Sequence, residues 1–327
     1  MEYTQLGRTG VKVSRLCFGT MSFGGDADAE TSAAMFRRCR EAGINFFDCA
    51  DIYSKGRAEE ILGSLIAGCR DELVITSKVF NPMGEDVNAR GLSRRHVMLA
   101  VEDSLRRLGT DRLDLYFCHM FDPDTPMDET LRAMDDLVRQ GKVLYPAVSN
   151  WAAWQVERAL GISARRQIAR FACIQPMYSL VKRQAEVELL PMAMAERLGV
   201  VPYSPLGGGL LTGKYGVGKR PEAGRIVQNK MYAKRYAEPS YYETAERLCA
   251  HAAERGLHPA TLAVAWVMSH PAVTAPILGA RNLEQLEASL AAADVEMTDA
   301  WRAEISALSP EPPLATDRAE EKSDPQS

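Results

Sequence analysis

Asp48, Tyr53, Lys78 and His119 stand where apolar runs end. Asp48 closes INFFD, Tyr53 follows in DCADIY, Lys78 comes at the end of LVITSK, and His119 closes LDLYFCH. Alone, each has an ordinary explanation: an Asp or Lys at a strand end is often a cap or a solvated charge, and a histidine there is often a hydrogen-bonded core residue. As a set they make a chemical unit. A phenol, whose reference pKa is about 10, is a poor acid or base at neutral pH until a nearby cation favours its phenolate. Lys78 is suited to supply that cation, Asp48 to hold Lys78 in an ion pair, and His119 to orient a carbonyl oxygen and help pass its proton. The combination fits carbonyl reduction or alcohol oxidation.

Separate segments must bring these residues together. Short apolar runs alternate with longer segments of helical period, giving candidate strands at 16–19, 44–48, 73–79, 113–119, 143–149, 171–175, 200–204 and 273–279. Ser93 can cap a helix whose buried face is Val97, Ala100, Val101, Ser104, Leu105 and Leu108, with Gly109 placed to stop it in a left-handed conformation. Thr125 can cap another that begins at Pro126 and carries Leu131, Met134, Leu137 and Val138 as its apolar stripe. Strand–helix alternation implies a parallel sheet, and eight repeats suit a closed α/β barrel, (β/α)8, the TIM barrel. A hairpin over YTQLG, RTG and VKVSRL precedes it. Residues 216–239, rich in Lys, Arg, Gly and Tyr, read as a long loop of the kind that covers ligands, ahead of an additional helix at 241–255. The barrel is expected over 1–309 and a flexible tail over 310–327, where almost nothing apolar is left to bury. In such a barrel the strand C-termini and the loops after them build the active site, which puts all four residues at one mouth.

Composition narrows the function classes. Of 327 residues 46% are hydrophobic and 25% charged, enough apolar surface for a sizeable core. A net charge of -4 without runs of like charge argues against nucleic acid as partner. No leader-like segment and no membrane-length apolar stretch occurs, so a cytoplasmic protein is expected. Seven scattered cysteines without a C-x-x-C pair suggest neither disulfides nor a zinc knuckle, and the five histidines form no ligand cluster, so no metal is expected. Hydride chemistry needs a carrier, since no side chain donates hydride. Yet LGGGLLTG at 206–213 lacks the G-x-G-x-x-G spacing of a Rossmann turn, and Gly213, Gly218 and Lys219 match a Walker loop only until Arg220 replaces its Ser or Thr.

The chain resembles the aldo-keto reductase family from about residue 3 to about residue 308. The resemblance rests on FFDCADIY, GRAEEILG, ITSK, YFCHMFDPDTP, GKVLYPAVSN, PYSPLGGGLLTGKY and GARNLEQL, which occur in the family's order. It implies a catalytic tetrad of Asp48, Tyr53, Lys78 and His119 and a nicotinamide cofactor. By similarity, Ser149, Asn150 and Gln175 would hold the carboxamide and Tyr203 would stack on the ring. Ser204, Leu206, Gly208 and Lys214 match the segment that wraps the pyrophosphate, where backbone N–H groups and a cation offset charge. Gly19, Thr20 and Met21 would add backbone contacts, together with Asp48. In GARNLEQL, which opens at Gly279, Arg281 would bind a 2′-phosphate and favour NADPH, with Gln285 one turn later beside the same adenosine.

Departures from the family pattern carry their own expectations. Ser289 stands where relatives often have Asn, which bears on an adenine contact. Pro146 and Ala147 replace the usual residues of RYIGVSN, so a local bend of that strand is expected to shift Ser149 and Asn150. Met120 replaces a customary Trp and implies a wider or softer mouth. Phe23, Phe80, Met120 and Trp151 are the expected pocket lining. The leading expectation is an NADPH-dependent reductase of aldehydes or ketones with Tyr53 as general acid and a small-molecule carbonyl substrate. The alternatives are an NAD(P)-dependent sugar or alcohol dehydrogenase and a cofactor-sensing regulatory subunit.

Overall fold

A computed structural model describes residues 1–316; the expected tail falls mostly outside them, and 310–316 carry neither helix nor strand. All eight expected strands form, preceded by the hairpin. The hairpin pairs β1 (Tyr3–Gln5) with β2 (Lys12–Ser14) antiparallel. The barrel strands are β3 (Cys17–Gly19), β4 (Phe46–Asp48), β5 (Val74–Val79), β6 (Leu113–Cys118), β7 (Val143–Ser149), β8 (Cys173–Gln175), β9 (Gly199–Val200) and β10 (Ile277–Leu278). They lie side by side in the order β10-β3-β4-β5-β6-β7-β8-β9, all parallel. The ring closes where Thr274 N–H donates to the Val200 carbonyl at 2.8 Å and Ile277 N–H to the Pro202 carbonyl at 2.9 Å.

Helices alternate with the strands: α1 (Ala29–Glu41), α2 (Arg57–Ile66), α3 (Arg94–Leu108), α4 (Met127–Arg139), α5 (Ala153–Arg166), α6 (Leu189–Glu196), α7 (Arg225–Gln228), α8 (Lys230–Arg235), α9 (Pro239–Glu254), α10 (Pro259–Met268), α11 (Leu283–Leu290) and α12 (Asp299–Ser306). None is long and apolar enough to cross a membrane among the described residues. Ser93 caps α3 by accepting from the His96 N–H, and Gly109 ends it at φ 62°. The start of α4 differs from expectation. Pro126 is extended at φ -55°, ψ 127°, so the helix begins at Met127, and the Thr125 hydroxyl donates instead to the Asp122 carboxylate at 2.7 Å. The 216–239 segment is not bare loop: it folds into α7 and α8, and the helix expected at 241–255 begins at Pro239.

The alternation of side chains along each strand divides the core in two. Phe18, Phe47, Ile75, Tyr116, Val148 and Ile174 face the helices. Cys17, Phe46, Val74, Leu115, Phe117, Ala147, Cys173 and Val201 fill the barrel, and Leu6 and Val13 of the hairpin plug its floor. Gly7, at φ 54°, lets the hairpin turn sit on β9, since a Cβ there would lie 2.5 Å from the Gly199 nitrogen. Pro146 does not break β7: Tyr116 pairs with it, its carbonyl accepts from Ala172 N–H at 2.9 Å, and β8 pairs only from Ala147 onward. The ladder to β8 therefore begins just past the imino nitrogen.

Candidate active site

Strand parity decides which side chains meet. Phe46 and Val74 point into the barrel, so two residues on, Asp48 and Thr76 do too, and after them Lys78. Leu115 and Phe117 set the same parity for His119. Lys78 is fully buried and donates to both oxygens of Asp48, at 2.7 and 2.6 Å, and to the Cys49 carbonyl at 2.6 Å. Asp48 also accepts from Thr76 and Gln175 at 2.9 Å each. A tight 3-10 turn, Tyr53–Gly56, runs through left-handed Ser54, Lys55 and Gly56. It leaves the Tyr53 hydroxyl 3.4 Å from the Lys78 ammonium, which lies 5.0 Å from the ring centroid. The His119 ring stands edge-on to Tyr53 with centroids 6.2 Å apart.

The electrostatics differ from the expectation that Lys78 would make the phenol acidic. Burial pushes Tyr53 above its ordinary value; the Lys78 charge pulls it back only in part, and Asp48 pushes it up again. Burial works against the Lys78 charge as well, but Asp48 and Tyr53 outweigh it and raise its pKa. His119 is lowered to about 3, first by burial and then by Lys78. Its Nδ1 lies 3.3 Å from the Asn81 amide nitrogen, a group that only donates, so the neutral ring carries its proton on Nε2. The site thus holds a protonated phenol, a neutral imidazole and a charged ammonium paired with the Asp48 carboxylate.

Beside it lies an arc of polar groups. Asn150, in a left-handed conformation at φ 59°, donates to the His119 carbonyl and the Ser149 hydroxyl at 3.0 Å each, and accepts from the Tyr203 hydroxyl at 2.7 Å. Ser149 donates to the Gln175 carbonyl at 2.9 Å. Farther along, Ser204 has φ 60° and Gly207, Gly208 and Gly209 all have positive φ, while the Gly207 and Gly209 N–H groups donate to the Ser204 and Leu206 carbonyls at 2.9 and 3.0 Å. The Lys214 ammonium stands against Gly209. Burial, then the charges of Arg281 and Arg225, lower the pKa of Lys214, which marks a crowded cationic patch. Its counter-charge is Asp26, 3.0 Å from Arg281 and 3.8 Å from Arg225. Gln285 accepts from the Arg281 backbone N–H at 3.2 Å.

The remaining expected site residues divide. Gly19 packs between strands, where a Cβ would lie 2.6 Å from the Ile277 side chain. Thr20 is buried and donates to the Asp48 carbonyl at 3.0 Å, Met21 is exposed, and no atom would crowd a Cβ at Gly279. Phe80 and Met120 are partly exposed or exposed beside the mouth. Phe23 is buried against Phe18, and Trp151 is buried edge-on between Phe121 and Phe171, where it also lines a small cavity with Asn150 and Gln175. Ser289 is buried too, its hydroxyl returned to the Gln285 carbonyl at 3.3 Å. Sequence reasoning missed Thr76, Asn81 and Asp26. Thr76 shares the inward parity of Lys78 and was readable from it; a polar loop residue such as Asn81 or Asp26 gives no such signal.

A model of the aldo/keto reductase family matches residues 15–310. The chain is 38% identical over 313 residues to an uncharacterized oxidoreductase, YrpG, of Bacillus subtilis (strain 168), covering 91% of this chain and 92% of that one. It is 37% identical over 302 residues to a probable voltage-gated potassium channel subunit beta of Oryza sativa subsp. japonica, covering 90% and 92%. The same description, identity and coverage apply to a relative in Arabidopsis thaliana. With a closed parallel barrel carrying Asp48, Tyr53, Lys78 and His119 at its mouth, the chain belongs to the aldo/keto reductase family.

Proposed function

We propose that the protein is an NADPH-dependent reductase of aldehydes or ketones in which Tyr53 is the general acid. The observation that carries this reading is the geometry at the barrel mouth, where the Tyr53 hydroxyl lies 3.4 Å from the Lys78 ammonium and the His119 ring stands edge-on to it. A phenol that keeps its proton at neutral pH can give it to an oxygen turning into an alkoxide, a stronger base than phenolate. Lys78, 3.4 Å from the phenol oxygen, attracts the phenolate left behind, and Asp48 holds Lys78 in place. The Nε2–H of neutral His119 is a second donor for the carbonyl oxygen, so charge developing there meets two donors whose positions are set in advance.

The cofactor supplies the hydride. The residues fit such a molecule: Ser149, Asn150, Gln175 and Tyr203 form a polar arc beside the tetrad, and Lys214, Arg281 and Arg225 concentrate positive charge against a left-handed glycine run. Arg281, a planar guanidinium at the start of α11, is suited to a 2′-phosphate and favours NADPH over NADH. Reduction of a panel of aromatic and short aldehydes, followed by loss of the reduced-cofactor absorbance, tests this reading. Tyr53→Phe is expected to cut turnover by about 10²- to 10⁴-fold with NADPH affinity unchanged; parental turnover in that variant would overturn the assignment.

A second reading rests on the plant relatives, which are described as channel beta subunits. In it the bound nicotinamide is sensed rather than turned over rapidly. Tight NADPH binding with negligible reduction of every aldehyde, and copurification with a membrane protein, would favour it.

A further inference from the structure

Asn81, on the loop that follows β5, makes one side-chain hydrogen bond among the described residues: its amide nitrogen lies 3.3 Å from Nδ1 of His119. An amide nitrogen only donates, so it engages the lone pair of Nδ1 and leaves the ring proton on Nε2. With the proton on Nδ1 instead, Nε2 would present a lone pair to a carbonyl oxygen and repel it. The other polar groups facing the ring are the Tyr53 phenol, edge-on, and Lys78, whose charge is paired with Asp48. Neither is hydrogen-bonded to Nδ1.

The place of Asn81 is fixed from several sides. Pro82 follows it and confines its backbone to extended conformations. The loop is closed at its base, where Gly91 N–H donates to the Phe80 carbonyl at 2.8 Å. Asp122, just past His119 in the chain, ties that base to the loop after β6. Its buried carboxylate accepts from the Leu92 N–H and the Thr125 hydroxyl at 2.7 Å each, and from the Asp124 N–H at 3.0 Å. A Cβ at Gly91 would lie 2.7 Å from the same carboxylate, so glycine permits the approach. Thr130, on α4, adds a hydroxyl bond to the Leu92 carbonyl at 3.0 Å. The segment that carries the amide and the segment that carries the imidazole are thus held to one another.

We propose that Asn81 is a positioning residue for carbonyl reduction: it selects the His119 tautomer whose Nε2–H donates to the substrate oxygen. The proposal rests on the reading of the protein as a carbonyl reductase. Asn81 acts through the imidazole alone, which makes its exchange for aspartate diagnostic. The shape is kept, but a carboxylate accepts from Nδ1–H and leaves Nε2 bare in the neutral ring. Burial and Lys78 hold the parental ring at about 3. A carboxylate partner brings such a group back only to about 4–6, so the variant ring is still neutral at about pH 8 and becomes imidazolium, with Nε2–H restored, near pH 4 to 5.

Nitrogen NMR of the full chain with isotope-labelled histidine reads the protonated ring atom directly, with His119→Gln assigning the signals. The parent should show Nε2–H, and Asn81→Asp at about pH 8 should show Nδ1–H. With NADPH and benzaldehyde, Asn81→Asp should lower kcat by about 10²- to 10³-fold at that pH, the loss of one donor to a developing oxyanion, with NADPH affinity unchanged. The rate of this variant should rise again as pH falls toward about 5, where the parent shows no such rise. If Asn81→Asp did not fold by circular dichroism, Asn81→Ala would carry the comparison, with signals of both tautomers and a severalfold lower kcat. Nδ1–H in the parent, unchanged ring signals in the variants, or a switched tautomer with parental kcat would overturn the proposal. A parent that reduced no aldehyde yet showed the tautomer switch would overturn the reductase reading and leave the pairing of Asn81 with the ring standing.

Discussion

Lys78 spends its ammonium on Asp48: the two side chains meet through both carboxylate oxygens, at 2.7 and 2.6 Å, with Lys78 fully buried. Tyr53, at 3.4 Å, receives only what is left of that charge. A buried pair behaves as a unit, because removing one partner strands the other without solvent. Lys78→Met or Asp48→Leu alone is expected to cost about 3–5 kcal/mol of stability, and the double variant much less than the sum. Urea denaturation checks this; additive losses would show that the two charges are not coupled.

The neutral imidazole and protonated phenol have a kinetic signature. His119 at about 3 and Tyr53 above its ordinary value both lie outside the physiological range. The reduction rate should therefore be flat from about pH 6 to pH 8, with no step near the free histidine value of about 6.5. A pH–rate profile with such a step, removed by His119→Gln, would contradict the assignment of a neutral ring.

Asp26 competes for the cations expected to meet the 2′-phosphate. Its carboxylate is 3.0 Å from Arg281 and 3.8 Å from Arg225, and the Asp26–Arg281 pair is partly exposed. Such pairs are worth about 0.2–1 kcal/mol, so Asp26→Asn should tighten NADPH by roughly two- to fivefold and NADH by less. Fluorescence titration of the two cofactors decides it; an equal gain for both would place the 2′-phosphate elsewhere.

Asp51 gives stability an unusual pH slope. Its folded pKa, up to about 7, exceeds that of an ordinary carboxylate, so between about pH 4 and pH 7 the folded chain binds the extra proton and stability falls as pH rises. Asp51→Asn removes that loss. At pH 8 the variant should be more stable than the parent by on the order of 3 kcal/mol, with the difference vanishing near pH 4. Thermal melts of both proteins across this range measure the difference directly, and a constant offset would refute it.

The strap over the glycine run depends on one missing methyl group. A Cβ at Gly208 would lie 2.9 Å from the Tyr232 ring and 3.0 Å from that of Tyr236, at φ 67°. Gly208→Ala should cost about 1–2 kcal/mol in backbone strain alone. The clash should lift α7 and α8, seen as faster proteolysis within 216–239 and weaker NADPH binding; unchanged cleavage would show that the strap does not rest on this contact.

Much of the fold was legible because its signals are local. Eight apolar runs at regular intervals specify parallel strands, and alternation along each strand puts Asp48, Thr76 and Lys78 on one face before any contact is known. Ser93 and Gly109 mark the ends of α3 for the same reason. Pro126 shows the limit of a local rule, since its extended backbone moved the start of α4 by one residue.

What the chain of residues determined by itself is the barrel and the gathering of an Asp, a Tyr, a Lys and a His at its mouth. The tertiary structure alone decided how those groups are charged, that Phe23 and Trp151 turn into the core, that Asp26 reaches Arg281, and that Asp51 is wholly buried. The physical reason is range. Periodicity and capping act within a few neighbouring residues, whereas desolvation and ion pairing sum over side chains far apart in sequence, such as Gln175 and Asp48, that only the closed barrel brings within hydrogen-bonding distance.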